Sequence, residues 1–135
     1  MFADTSGWAS VADRRQTFHA HAAALVQATL ASAKRIVTTN LVLIELSALL
    51  TSPLRIPKLQ QVQFLDDLRS DPDVEIVCID THLETAAWNL WRTRLDKEWT
   101  MTDCSSFLVM QQRGLQEVLT TDHHFEQAGF VRLLK

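Results

Sequence analysis

The sequence predicts an α/β fold with a mostly parallel sheet, formed as a single domain over residues 1–135. Three observations point there. Short runs rich in β-branched residues, Ile36-Val37-Thr38 and Val74-Glu75-Ile76-Val77-Cys78-Ile79, alternate with longer stretches of helical period. Only 3 Gly and 3 Pro supply too few turn residues for a sandwich or barrel of many short strands. With 47% apolar and 21% charged residues, the 135-residue chain has the composition of one globular domain and is too short for two.

The elements follow in order. A stub strand ends at Asp4, and a short helix covers about Ser6–Ala12. From about Thr17 to Ser32 an alanine-rich helix places Phe18, Ala22, Leu25 and Thr29 on one face. After strand Ile36–Thr38, Asn40 is positioned to cap a helix running to about Leu50. Pro53 and Pro57 bracket a loop, and Lys58–Ser70 is expected to be helical with Leu59, Val62, Leu65 and Leu68 recurring every three residues. Asp71-Pro72-Asp73 is a turn, and Val74–Ile79 is the clearest strand. Asp80 or Thr81 caps a helix to about Leu95, and a further helix over Asp103–Arg113 stops at Gly114. Glu117–Thr121 is a strand, His123–Ala128 a short helix ending at Gly129, and Phe130–Leu134 the last strand.

Two cysteines, Cys78 and Cys104, make neither a disulfide framework nor a four-ligand zinc site, so reduced thiols in the cytoplasm are expected. No signal peptide or membrane segment is expected. The opening Met1-Phe2-Ala3-Asp4 lacks a basic region, and the most apolar stretch, Leu41–Leu50, is too short to span a bilayer and carries Glu45. The net charge of −3 argues against a passive nucleic-acid binder. Setting aside the four acids discussed next leaves 13 basic against 12 acidic residues, so a metal-dependent enzyme acting on polyanions remains compatible.

Glu45 stands out because its helical neighbours Leu41, Val42, Ala48 and Leu49 are all apolar. A carboxylate in such a face needs a partner, either a buried Arg, the rim of the core, or a metal. Asp4, Asp103 and Asp122 each stand where a helix begins, two of them directly after a strand. Singly, each is explained by helix capping, and Thr100-x-x-Asp103 resembles a capping box. Together they mean more. Strand C-termini of a parallel sheet gather along one edge, where ligands bind, and four acids on that edge would repel one another without cations between them. Oxygen donors without His or Cys select Mg²⁺ or Mn²⁺, the ions that assist phosphodiester hydrolysis.

Four segments, in order, then carry a resemblance: Phe-Ala-Asp-Thr-Ser (2–6), Thr-Thr-Asn-Leu-Val-Leu-Ile-Glu (38–45), Asp-Lys-Glu-Trp-Thr-Met-Thr-Asp-Cys-Ser-Ser-Phe (96–107) and Leu-Thr-Thr-Asp-His-His-Phe-Glu-Gln-Ala-Gly-Phe (119–130). The chain resembles the PIN-domain ribonucleases, specifically the VapC-type toxins of toxin–antitoxin pairs. The resemblance implies a PIN-like fold with a central sheet of four to five strands and helices on both sides. It implies an acidic quartet of Asp4, Glu45, Asp103 and Asp122 holding Mg²⁺ or Mn²⁺, with Asp4 and Asp103 on the principal ion. Thr5, Ser6, Asn40, Thr102 and Ser106 match the small polar positions around the acids, supporting them or touching substrate phosphate. The implied partners are an RNA substrate, a cognate antitoxin protein and a second copy of the chain. Two other readings stay open: a catalytically silent PIN-like module that binds RNA or protein, and a receiver-type signalling domain with Asp80 as its acid.

Other residues invite chemistry and have plainer explanations. His19 and His21 diverge on their helix. His123 and His124 form a polar first helical turn, or one of them reaches RNA phosphate. Cys104 is expected in the core. Trp88, Trp91 and Leu95 form an apolar stripe that either packs in the core or makes an interface with a second copy or a partner helix. Arg14, Arg15, Arg92, Arg94 and Lys97 either line an RNA path or sit on solvated faces.

Overall fold

Five short strands, β1 (Phe2–Ala3), β2 (Ile36–Thr39), β3 (Val74–Val77), β4 (Glu117–Leu119) and β5 (Val131–Arg132), pair in the order β3-β2-β1-β4-β5. Every pair is parallel, in a computed structural model that describes all 135 residues. The connections are helical: α1 (Thr5–Ala12), α2 (His19–Ala31), α3 (Asn40–Thr51), α4 (Lys58–Ser70), α5 (Thr81–Thr93), α6 (Met101–Arg113) and α7 (His124–Gln127). This is the expected PIN-like α/β architecture with five strands.

The shortest strand holds the centre. Phe2 and Ala3 of β1 are fully buried, with Phe2 in register with Val37 on one side and Val118 on the other. The core is continuous, joining Trp8 of α1, Ala22 of α2, Leu46 and Leu50 of α3, and Phe107 and Met110 of α6. Trp8 is tied to the sheet as well, its Nε1 donating to Thr38 Oγ1 at 3.2 Å while Thr38 donates to the Ala3 carbonyl at 2.8 Å. Phe107 is the hub of an aromatic group, edge-on to Trp99 and Phe125 with ring centroids 5.0 Å away in both cases.

Strands end earlier than their composition suggests, because each stops when its neighbour does. β2 ends at Thr39, so Cys78 and Ile79 have no strand to pair with, and the Ile79 N–H donates instead to the Asn40 side chain at 2.7 Å. Thr120 and Thr121 leave the ladder in the same way after β1 ends at Ala3. Phe130 and Leu134 flank a β5 whose paired partners are only Glu117 and Val118.

Two expectations, the Asn40 cap and the setting of Glu45, require correction, and α4 turns an unexpected face to the core. Thr39, not Asn40, caps α3, its hydroxyl accepting from the Val42 N–H at 3.1 Å. Asn40 is left free to hold the loop after β3. On α4, Leu59 (68% exposed) and Val62 turn to solvent while Gln61 and Leu68 are buried. A strict three-residue spacing falls 60° short of a full turn at each step, so such a stripe winds off the core face. Gln61 is accommodated by donating to the Ile56 carbonyl at 2.8 Å. Glu45 is exposed rather than embedded, because α3 is apolar nearly all round and buries only Val42, Leu43, Leu46 and Leu50.

Other expectations hold. Thr100 and Asp103 form a reciprocal capping box, and α6 stops at Gly114 in the left-handed conformation (φ 63°). No helix is long and apolar enough to cross a membrane. Both cysteines are free, and burial pushes the Cys104 thiol up to about 11, with the Asp103 charge adding to it. Trp88 and Trp91 lie on the surface, 47% and 41% exposed, with ring centroids 5.3 Å apart, so the core-packing reading of this stripe fails.

A candidate acidic site at the C-terminal edge of the sheet

Asp4 and Asp122 stand where the chain leaves the C-terminal edge of the sheet, Asp103 lies in the first turn of α6, and Glu45 in the second turn of α3. Asp4 follows β1, and its backbone N–H donates to the Leu119 carbonyl of β4 at 3.2 Å, fixing its position between two strands. It stands at the N-cap of α1, yet its side chain makes no capping bond. That removes the structural explanation available from sequence.

The Asp4 carboxyl is 4% exposed, and its two oxygens differ. Oδ2 accepts from Thr120 Oγ1 at 3.1 Å, whereas Oδ1 is buried without any partner. Burial pushes this carboxyl up to about 7, and repulsion from Asp103 and Glu45 adds to the shift. A buried, half-satisfied carboxylate among like charges is costly unless a cation completes it.

Asp103 shows a similar division. Thr100 N–H donates to its Oδ2 at 2.9 Å, and His124 Nδ1 lies 3.2 Å from the same oxygen. Its hydrogen bonds all fall on Oδ2. Burial raises this carboxyl too, followed by the charge of Asp122. Asp122 comes after β4, its N–H bonded to Thr120 Oγ1 at 3.0 Å and its Oδ1 accepting from the His124 N–H at 2.9 Å. Glu45 arrives from α3 and accepts from Thr5 Oγ1 at 2.6 Å.

Asp4 feels the charges of Asp103 and Glu45, and Asp103 that of Asp122. Hard carboxylate oxygens suit Mg²⁺ or Mn²⁺, and the orphaned Asp4 Oδ1 is the kind of atom such an ion satisfies. The group whose donor atoms already lie within 4.8 Å of one another is Asp122, His123 and His124; the four acids are not brought to that spacing.

The predicted small polar residues divide. Thr5 holds Glu45, and Ser6 supports the site through Thr120 at 2.8 Å while accepting from the Thr121 N–H at 2.9 Å. Ser106 is fully buried one turn beyond Asp103, and its hydroxyl has no partner. Thr102 contributes a carbonyl to Ser105. Asn40 points to the β3–α5 connection and is not joined to the acids by any hydrogen bond.

Sequence reasoning missed Thr120 and undervalued His124. Thr120 Oγ1 ties Asp4, Ser6 and Asp122 together across 116 residues of sequence, a role invisible in a Thr at a strand end. The only available hint was the Thr-Thr-Asp run, where a hydroxyl precedes the acid by two residues. Asp80 caps α5 by accepting from the Leu83 N–H at 2.9 Å, which gives it a structural task and removes the basis of the receiver reading. Of the basic residues, Arg15 is committed to Asp13 at 2.9 Å, and Arg94 to Asp96 at 3.0 Å while stacking over Trp99. Clefts of about 330 Å³ between Arg14 and Gln60, and of about 290 Å³ between Asn40 and Arg69, are lined by none of the four acids.

Comparison with known proteins agrees with this fold. The profile of the PIN domain family matches residues 1–131. Two relatives, each a 23S rRNA-specific endonuclease VapC20 from Mycobacterium tuberculosis (strains CDC 1551 / Oshkosh and ATCC 25618 / H37Rv), are 34% identical over 67 residues. That stretch covers 49% of this chain and 50% of each relative, so the match spans about half the length of these curated relatives. The crystal structure of Mycobacterium tuberculosis VapC20, described as a sarcin-ricin loop cleaving toxin, superposes with a TM-score of 0.83 at 27% identity. It covers 99% of this chain and 98% of that one.

Proposed function

The chain belongs to the PIN domain family and resembles its VapC-type ribonucleases, and on that premise we propose that it is a Mg²⁺- or Mn²⁺-dependent endoribonuclease, a toxin restrained by a cognate antitoxin. The observation that carries the proposal is the Asp4 carboxyl, buried within reach of the charges of Asp103 and Glu45 with Oδ1 unpartnered. Asp4 and Asp103 would hold the principal ion through the oxygens their neighbours leave free, and Glu45 and Asp122 would complete the cluster. A bound divalent ion supplies an acidified water and neutralises charge growing on the phosphoryl oxygens.

The residues of the chain do the rest. Thr120 and Thr100 fix the outer oxygens of Asp4 and Asp103, so both carboxylates meet their ligand already oriented. Thr5 orients Glu45. The acids stand at the rim of the sheet, which suits a polymer passing across it. RNA of the class cut by the VapC20 relatives is the candidate substrate. A homodimer acting in the cytoplasm is the candidate assembly, and the exposed Trp88–Trp91 pair is where Trp91→Glu would be used to look for the second copy.

The test is incubation with a 23S rRNA fragment carrying the sarcin–ricin loop, with Mn²⁺, with Mg²⁺ and with EDTA. Cleavage at a defined position that needs the ion and disappears in Asp4→Asn is expected. A folded wild-type protein that binds the fragment with no cut under any condition would instead make the chain a silent binding module.

A further inference from the structure

We propose that His124 is a positioning residue that sets the spacing and orientation of Asp103 and Asp122, two carboxylates delivered by different parts of the fold. Its imidazole is largely enclosed (16% exposed), and Nδ1 lies 3.2 Å from Asp103 Oδ2 and 3.3 Å from Asp122 Oδ2. Asp103 comes from the first turn of α6 and Asp122 from the turn after β4, and His124 opens α7. One ring nitrogen thus spans two elements that have no backbone connection for 19 residues. The adjacent His123 differs: it is 63% exposed, and its Nδ1 lies 3.7 Å from Asp122.

The arrangement has a direction. An ionised Asp103 carboxylate only accepts, so Nδ1 carries the hydrogen of that bond, with Asp122 Oδ2 standing beside it at 3.3 Å. The backbone N–H of His124 adds a bond of 2.9 Å to Asp122 Oδ1, while Asp122 Oδ2, 3.3 Å from the ring nitrogen, takes no hydrogen bond and stays available to a ligand. On Asp103 it joins Thr100 at Oδ2, occupying the outer oxygen and leaving Oδ1 for a ligand. A ring that engages the outer oxygen of a ligating carboxylate raises affinity by removing the freedom of that carboxylate to turn away.

This inference rests on the acids being metal ligands, and the test separates the two claims. Mn²⁺ binding is measured by calorimetry in the absence of RNA for wild type, His124→Ala, His124→Asn and His124→Gln, with metal-free unfolding midpoints recorded alongside. Asn places an N–H at the position of Nδ1, whereas Gln places one near Nε2. His124→Ala and His124→Gln are expected to weaken Mn²⁺ binding about 10- to 100-fold, with His124→Asn within about 3-fold of wild type. Unchanged Mn²⁺ affinity in His124→Ala, or rescue by Gln and not by Asn, overturns the positioning role. A lowered metal-free midpoint with unchanged affinity overturns it too, by showing a purely structural histidine. Wild type that takes up no Mn²⁺ overturns both this inference and the metal reading beneath it.

Discussion

Thr120 Oγ1 lies 3.1 Å from Asp4 Oδ2, a contact between residues 116 apart in sequence. The same hydroxyl meets Ser6 Oγ at 2.8 Å and accepts from the Asp122 N–H at 3.0 Å. With Thr120 donating to Asp4, Ser6 must donate to Thr120, and the Thr121 N–H to Ser6, so the chain of bonds is polarised toward the Asp4 carboxylate. It satisfies one oxygen of Asp4 and leaves the other bare.

Removing that hydroxyl should therefore damage the site more than the fold. Thr120→Val keeps the shape but strands the Asp122 N–H and Ser6, costing about 1–3 kcal/mol in a urea titration. Cleavage and Mn²⁺ affinity are expected to fall at least about 10-fold, with Thr120→Ser restoring both. Full activity in Thr120→Val would show that the bond to Asp4 is incidental.

Metal-free stability should depend on pH with an unusual sign. The Asp4 carboxyl is raised from its ordinary 3.8 to about 7 by burial and by its acidic neighbours, so between these values the folded protein binds a proton that the unfolded chain does not. This group's contribution to stability is most favourable below pH about 4, falls as pH rises, and is fully unfavourable above about 7. Asp13 acts oppositely: Arg15 holds its carboxyl down at about 2, so its contribution is intact above about 4 and is lost as pH falls toward 2. Unfolding midpoints in EDTA should rise as pH is lowered from 8 to 5 in wild type, and much less in Asp4→Asn. Equal slopes in the two proteins would contradict this assignment.

Gly7 is required by space. A Cβ there would lie 2.0 Å from the Leu119 carbonyl oxygen, a backbone atom of β4 that cannot yield easily. Gly7→Ala should cost at least about 3 kcal/mol or prevent folding, because it pushes α1 off β4 where Asp4, Ser6 and Thr120 converge. A near-neutral change on denaturation would show that the α1–β4 contact is looser than described.

Much of this was legible in the sequence, for identifiable reasons. β-Branched runs and helical periods gave the alternation of elements, and strand ends are where a parallel sheet collects its ligands, so topology led to Asp4 and Asp122 as candidates. Other properties depend on distant contacts. The environment of Glu45 was misjudged because helical spacing reports only the neighbours on its own helix, and α3 offers an apolar surface wider than its core demands. The three-residue recurrence of Leu59, Val62, Leu65 and Leu68 drifts round α4 over about two and a half turns, so Leu59 and Val62 end exposed. Thr120 and His124 carry ordinary side chains whose roles arise only when β4, α1 and α6 meet.

The account stands most directly on thermal unfolding of wild type and Asp4→Asn at pH 7.5, each in EDTA and in excess Mn²⁺. Asn suits the N-cap position about as well as Asp, so the substitution spares the helix. At a hundredfold excess over the dissociation constant, Mn²⁺ should stabilise wild type by about 2.7 kcal/mol, on the order of 10 °C in midpoint. Asp4→Asn should lose that response and match or exceed wild type in EDTA. A wild-type midpoint indifferent to Mn²⁺, or an equal rise in Asp4→Asn, would contradict a metal site built around Asp4.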